Sequence, residues 1–249
     1  MNSLSVVITT FNSEETIGLC LDSVGFADEI VILDSFSEDD TVALSKQAGA
    51  IVKQQKFKGF SEQKKDAIAM ASHAWVLLLD SDEYLSDAAQ QAIQQWQKQE
   101  PHAHGYHLPR IEWVFWRWSH RWVRHNKFLR LFDKSRMRIE QRLVHESVEI
   151  EGETATIKAP IMHFGERSIT EKLNKVNHYS RLAAEEKFAK GKRCGVLRVV
   201  FYPWFYFIRQ YLFKRQIFNG FAGFINASIN SYYAFLKYAK LYELRKNRD

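Results

Sequence analysis

Four short apolar runs at the start of this chain decide most of what it can become. Leu4 to Thr10 (LSVVITT), Glu29 to Leu33 (EIVIL), Ala50 to Gln54 and Trp75 to Leu79 (WVLLL) are rich in β-branched and aliphatic residues, as buried strands are. Helical patterns separate them: Glu14 to Ser23 with Ile17, Leu19, Cys20 and Leu21 among polar residues, Thr41 to Ala48 ended by Gly49, and Ser61 to Ser72 opened by a serine cap. Strands that are apolar on both faces and alternate with helices imply a parallel sheet covered on both sides, an α/β fold of Rossmann-like character. Ligands of such sheets sit beyond the carboxyl ends of the strands. The residues that close these four runs are therefore the first candidates for chemistry.

Residues 105 to 163 change character, with tryptophans and arginines crowded into IEWVFWRWSHRWVRHNKFLRLF and short alternating runs at Ser147 to Ile150 and Thr154 to Ile157. This stretch reads as loops and mixed strands that extend the sheet and floor a second site. From Thr170 the pattern is helical, and from Leu197 it is aromatic and basic. The expected division is one domain over residues 1–168, with halves at 1–100 and 101–168, followed by a helical region over 169–249.

A chain of 249 residues with 46% hydrophobic content can bury a sizeable core, which excludes disorder as its main state. Cys20 and Cys194 stand far apart with no CxxC spacing and read as reduced thiols of a cytoplasmic protein. The opening MNSLSVVITTFN lacks the cationic flank of a secretory signal. The longest apolar stretch, Val199 to Ile208, is well short of the roughly 20 residues needed to span a bilayer. The net charge of +6 conceals an asymmetry: residues 1–100 carry 16 Asp/Glu against 7 Lys/Arg, and residues 187–249 carry 2 against 13. The two ends should meet different partners.

The fourth apolar run leads straight into Asp80, Asp82 and Glu83. Clustered carboxylates where a chain leaves the core are costly unless a cation neutralises them. Alternate residues of an extended segment project to opposite sides, so one of Asp80 and Asp82 can accept ribose hydroxyls while the other reaches a divalent ion. Ser81 to Glu83 reads equally as a cap for a helix beginning near Ser86. Asp34 also ends a buried strand, ahead of the polar loop Ser35 to Thr41, where it can accept the ring N–H of a uracil; the same loop reads as a helix cap at Asp40.

Taken in order, VVITTFNSEETI, VILDSFSEDDT, GFSEQKKDAIAMA and WVLLLDSDEYL resemble the inverting family 2 glycosyltransferases of the GT-A fold, over about the whole chain. Through RLFDKS, the His145-Glu146 pair and the aromatic tail, the chain is similar within that family to lipopolysaccharide core β-1,4-glucosyltransferases that act on heptose. The resemblance implies that Thr9, Phe11 and Glu14 line the base and ribose site, that Asp34 reads the base, that Asp80 contacts the ribose and that Asp82 holds the metal. Lys64 falls where the family places a basic residue near the phosphates, although Gln63-Lys64-Lys65-Asp66 replaces the commoner Ala-Arg-Asn. Glu146 is the implied catalytic base, and by itself it reads also as a surface glutamate on a strand from Val144 to Ile150. His163 is the implied third protein ligand of the metal or a donor to the diphosphate, and a lone histidine among apolar neighbours is also a common structural residue. Trp113, Arg130, Lys172 and Lys175 are assigned to the acceptor or its phosphates, the two lysines reading equally as solvated.

The expected cofactor is Mg²⁺ or Mn²⁺, and the expected partners are a UDP-hexose, a lipid-linked saccharide and an anionic membrane surface. Aromatics interleaved with Arg198, Arg209, Lys214 and Arg215 suit a lipid interface, or else a helical hairpin turned at Asn219-Gly220 and Gly223 and packed on the main domain. The absence of RNP, KH or zinc patterns argues against nucleic acid. The expected activity is transfer of a hexose, glucose from UDP-glucose, to inner-core heptose of lipopolysaccharide by a protein peripheral to the inner face of the cytoplasmic membrane. The alternatives are a polyprenyl phosphate or another envelope glycan as acceptor, a sugar nucleotidyltransferase, which the lack of a glycine-rich loop after the first strand disfavours, and an inactive membrane adaptor.

Overall fold

The structure, a computed structural model, describes residues 1–139 and 148–247. Its elements in chain order are β1 (Leu4–Thr10), α1 (Glu14–Asp22), β2 (Glu29–Asp34), α2 (Thr41–Gln47), β3 (Ile51–Gln54), α3 (Phe60–Met70), β4 (Trp75–Asp80), β5 (Glu83–Leu85) and α4 (Asp87–Gln97). There follow β6 (Gly105–Val114), β7 (Arg117–Trp118), β8 (Lys127–Asp133), β9 (Met137–Ile139), β10 (Val148–Ile150), β11 (Thr154–Thr156), β12 (Ile161–Glu166), α5 (Ile169–Ala189), α6 (Val196–Ile208) and α7 (Gly220–Lys246). They form two compact units: Met1–Ile111 with His125–Phe164, and Glu112–Arg124 with Gly165–Asp249.

In the first unit the sheet begins in the order β3-β2-β1-β4-β8-β6. The first four of these strands are parallel, and β8 runs antiparallel to both β4 and β6, as mixed strands extending a parallel sheet would. The register aligns Thr10 with Asp34 and Thr9 with Asp80, so three strands end side by side. Alternation along the strands divides the core between two faces. Val6, Ile8, Leu77 and Leu79 pack with Ile17 and Cys20 of α1 and with Ile93 and Trp96 of α4. Val7, Val31, Leu33, Val76 and Leu78 pack with Ala67 and Ile68 of α3. Each fully buried aliphatic side chain stabilises the fold by roughly 1.5–3 kcal/mol, which is what holds the strand ends in register.

Two caps differ from the expectation. The α3 helix starts at Phe60 behind Gly59, whose φ of 104° suits glycine, so Ser61 lies inside the first turn and caps nothing. The α4 helix is capped by Ser86, whose Oγ accepts from the Ala89 amide, which frees Ser81 to Glu83 from a capping role.

In the second unit α7 has α5 on one side and α6 on another. Lys240 donates to the Asn177 carbonyl and to Ser180 Oγ, Ser231 Oγ donates to the Pro203 carbonyl, and Tyr202 meets Tyr238 edge-on. Val114 and Phe115 belong here too, packed with Val176, Ala222 and Ile229, and the His120 amide donates to the Asn219 side chain. The tryptophan-rich segment Glu112–Arg124 thus segregates with the C-terminal helices. The helical hairpin turns before Gly220, and Gly223 lies inside α7 and not in the turn. Among the described residues, no helix is long and apolar enough to cross a membrane.

Candidate functional site

Beyond the carboxyl ends of β1, β2 and β4 lies a cavity of about 700 Å³ within the first unit. Thr9, Thr10 and Phe11 line it from the end of β1, and Ser35 from the end of β2. Phe60, Gln63 and Lys64 come from α3 and Phe57 from the loop before it. Asp80, Ser81, Asp82 and His163 complete the wall. Phe57 and Phe60 meet edge-to-face with centroids 4.9 Å apart and, like Phe11, remain more than half exposed. Exposed rings beside such a cavity offer stacking faces to a planar base.

The polar chemistry concentrates on the segment after β4. Lys64 Nζ lies 2.7 Å from one Asp80 oxygen and Arg130 Nη2 3.0 Å from the other. Arg130 also lies 2.6 Å from Glu83, which Arg110 approaches at 3.0 Å while stacking over Phe128. Burial opposes the Asp80 charge, but Lys64 and Arg130 outweigh it and hold the carboxyl far below its ordinary range. Burial likewise opposes the Arg130 charge, and Glu83 and Asp80 keep the guanidinium firmly protonated. The first and third carboxylates of the cluster are thereby neutralised from within the protein.

Asp82 has a different partner. Its Oδ2 lies 3.2 Å from His163 Nε2, and its carbonyl accepts from the Phe164 amide at 2.9 Å. Antiparallel pairing of β5 with β12, which sets His163 opposite Glu83, brings the two together. Among the described residues no group of three His, Cys, Asp or Glu side chains could hold a metal ion. A carboxylate with an imidazole nonetheless fits a cation whose other ligands are phosphate oxygens and water, because Mg²⁺ in such sites uses only one or two protein carboxylates and Mn²⁺ tolerates nitrogen.

Asp34 and Glu14 are not among the residues that line the cavity. Asp34 is fully buried and accepts from Thr10 Oγ1, Gln54 Nε2 and the amide and hydroxyl of Ser37. Burial raises its pKa, and these bonds more than reverse that, leaving it below the ordinary carboxylate range. Glu14 accepts from the Asp40 amide while its own amide donates to Asp39, which ties the β1–α1 turn to the loop after β2. Arg130, assigned from the sequence to the acceptor or a phosphate, is 5% exposed within the carboxylate cluster. In the second unit, Trp113 donates to the Phe115 carbonyl, Lys172 is buried, and Lys175 pairs with Glu171 and donates to the Gly165 carbonyl. Glu146 lies outside the described residues.

Residue reasoning alone missed Ser35, Phe57, Phe60, Gln63 and Arg110. Gln63 is 2% exposed and donates through Nε2 to Ser35 Oγ, while its Oε1 is buried without a partner. The motif GFSEQKKDAIAMA, which holds both Phe60 and Gln63, was the available signal.

Residues 5–155 match the sequence profile described as Glycosyl transferase family 2. The chain is 30% identical over 249 residues to lipopolysaccharide core biosynthesis glycosyltransferase LpsC of Rhizobium meliloti (strain 1021), covering 96% of this chain and 92% of that one. It is 29% identical to the uncharacterized glycosyltransferase RT0209 of Rickettsia typhi (strain ATCC VR-144 / Wilmington), covering 98% of this chain and 88% of that one. Among solved structures it resembles glucosyl-3-phosphoglycerate synthase from Mycobacterium tuberculosis in complex with Mg²⁺ and uridine diphosphate, with a TM-score of 0.33 and 27% identity over 37% of each chain.

Proposed function

The chain belongs to glycosyl transferase family 2, and we propose that it transfers a hexose, glucose from UDP-glucose, with inversion to a lipid-linked saccharide, the inner-core heptose of lipopolysaccharide. The observation that carries the donor assignment is the partition of charge after β4. Lys64 and Arg130 neutralise Asp80, whereas Asp82 faces the cavity beside His163. Asp82 and His163 would hold a divalent cation, which when bound supplies positive charge to the departing diphosphate.

The remaining donor-site roles are read from position, and that of Glu146 from the family resemblance. Phe11, Phe57 and Phe60 stack on the base, and Asp34 fixes Thr10 and the Ser35–Ser37 turn that frame it. Lys64, at 20% side-chain exposure, is shared between Asp80 and an incoming phosphate, and Asp80 meets the ribose. In the transfer step the acceptor oxygen bonds to the anomeric carbon as the bond from that carbon to the diphosphate oxygen breaks, and Glu146 takes the hydroxyl proton. The acceptor class is supported by the similarity to LpsC, named for lipopolysaccharide core biosynthesis. The aromatic and basic C-terminal helices suit association with the anionic inner face of the cytoplasmic membrane.

Thermal melting with UDP-sugars tests the donor, because a ligand of the native state raises its apparent stability. UDP-glucose with Mn²⁺ should raise Tm more than either alone and more than GDP- or ADP-glucose. Equal shifts with all nucleotides would remove the uridine assignment. A heptose-terminated lipopolysaccharide acceptor should then release UDP, and release should fall by orders of magnitude in Glu146→Gln while the melting shift persists.

A further inference from the structure

The α6 helix buries none of its residues. Leu197, Phe201, Trp204, Phe205 and Ile208 form an exposed stripe at helical spacing, continued by Phe213. The opposite side of α6 meets α7 through Tyr202 against Tyr238 and Phe207 against Phe224. Between the two helices runs an apolar groove of about 640 Å³, walled by Val200, Pro203, Trp204 and Phe207 and by Phe224 and Phe235. A smaller cavity of about 240 Å³ lies at the start of α6, lined by Arg193, Cys194, Tyr242, Arg245 and Lys246.

These two cavities share one stripe of α7. Ser228 and Phe235 of the groove and Tyr242 of the cationic cavity are spaced by seven residues, as are Phe224, Ser231 and, two repeats on, Arg245. Seven residues are two helical turns, so the groove ends about 10 Å from the cationic cavity. A phospholipid spans about 20 Å, half of a bilayer of about 40 Å, and one molecule reaches both. Residues 187–246 carry twelve Lys/Arg against one acid, Glu243, which favours an anionic partner. At 13 residues, about 20 Å, α6 is too short to span a bilayer, and an apolar stripe this large is unfavourable in water.

We propose that the α6–α7 groove binds an acyl chain of one anionic glycerophospholipid of the leaflet, whose phosphate is held by Arg193 and Lys246, beside Arg245, which its bonds to the Gly191 and Lys192 carbonyls fix in place. This rests on the membrane association proposed above and adds a defined lipid site to it. The outer stripe would lie in the interface, and the groove would draw one lipid chain out of the bilayer.

Tryptophan quenching tests this on the full chain, with phosphatidylcholine vesicles containing phosphatidylglycerol brominated deep in its acyl chains. The Trp204 contribution is obtained by subtracting the signal of Trp204→Phe. Brominated phosphatidylglycerol should quench that contribution about twofold or more. Ser228→Phe, which fills the groove and leaves the outer stripe intact, should cut the quenching by deep bromines about twofold while the protein still sediments with vesicles, the remainder being what the exposed face of Trp204 meets in the interface. Arg193→Ala with Lys246→Ala should weaken binding to phosphatidylglycerol about thirtyfold, at about 1 kcal/mol per cation. Sedimentation without Trp204 quenching, or quenching unchanged in a Ser228→Phe protein that melts normally, overturns the lipid site and leaves membrane association standing. Failure of the wild type to sediment overturns both. Equal quenching by brominated phosphatidylcholine overturns the assignment of an anionic lipid.

Discussion

Arg130 serves two carboxylates with one nitrogen: its Nη2 lies 3.0 Å from Asp80 and 2.6 Å from Glu83. Glu83 is fully buried, and Arg130 and Arg110 supply its cations while the Asp80 amide donates to its second oxygen. The arrangement leaves the end of β4 acidic in sequence and nearly neutral in effect, except at Asp82.

Removing the shared cation should therefore be costly. Arg130→Met leaves two carboxylates short of a partner in a buried setting and should lower the unfolding free energy by about 3–5 kcal/mol, measured by urea denaturation. Arg130→Lys can serve only one carboxylate at a time, because an ammonium lacks the guanidinium's planar fork, and should recover only part of that loss. A loss below about 1 kcal/mol for Arg130→Met would mean that water, not protein, solvates the cluster.

The same cluster sets an acid limit. The folded-state pKa of Asp80 lies below its ordinary 3.8, so the unfolded chain takes up the proton first as pH falls. The stability contributed by this charge is complete above about pH 4 and is lost as pH falls further. Urea midpoints of the wild type and Asp80→Asn should differ most from pH 5 upward and converge below about pH 4. A gap that stays constant down to pH 2 would exclude Asp80 as the titrating group.

Asp82 and His163 should separate from Asp80 by their dependence on metal. Asp82→Ala should leave the melting temperature without ligand nearly unchanged, since its carboxylate is partly exposed, and should abolish the extra stabilisation by Mn²⁺ in the presence of UDP. His163→Ala should weaken that stabilisation about 10- to 100-fold in metal concentration, the usual loss when a supporting metal partner is removed. Retention of the full Mn²⁺ response in both variants would place the ion elsewhere.

Gly223 should prove intolerant of any side chain. A Cβ there would come within 1.9 Å of the Gln216 carbonyl oxygen, a backbone atom that cannot rotate away. Gly223→Ala should cost about 1–3 kcal/mol as overpacking does, read as a lowered melting temperature, with sugar-nucleotide binding unaffected.

How much of this was legible in the sequence depended on how local the determinant was. The buried strands and their carboxylate ends could be read directly, because Trp75 to Leu79 and Asp80 to Glu83 are contiguous and strand periodicity is a local property. The burial of Arg130 was not, because it follows from β8 pairing antiparallel to β4, with Leu131 opposite Leu77. His163 was nominated only by resemblance, and its approach to Asp82 depends on the long-range pairing of β12 with β5. The cap of α3 was misread because a serine near a helix start is a strong signal, and the positive φ of Gly59 that moved the start leaves no mark beyond the glycine itself. The tail's aromatic pattern gave helices but not which side would face outward, which is settled by what α7 covers.

The pairing of β5 with β12 also imposes an order in time. Asp82 is made early in synthesis, but its histidine partner, and the Phe164 amide that fixes its carbonyl, are added some eighty residues later. A nascent chain halted at Pro160 could complete the four parallel strands and still lack half of the proposed cation grip. Competence to bind the metal should arrive abruptly, when residue 163 clears the ribosome and finds an edge strand already waiting.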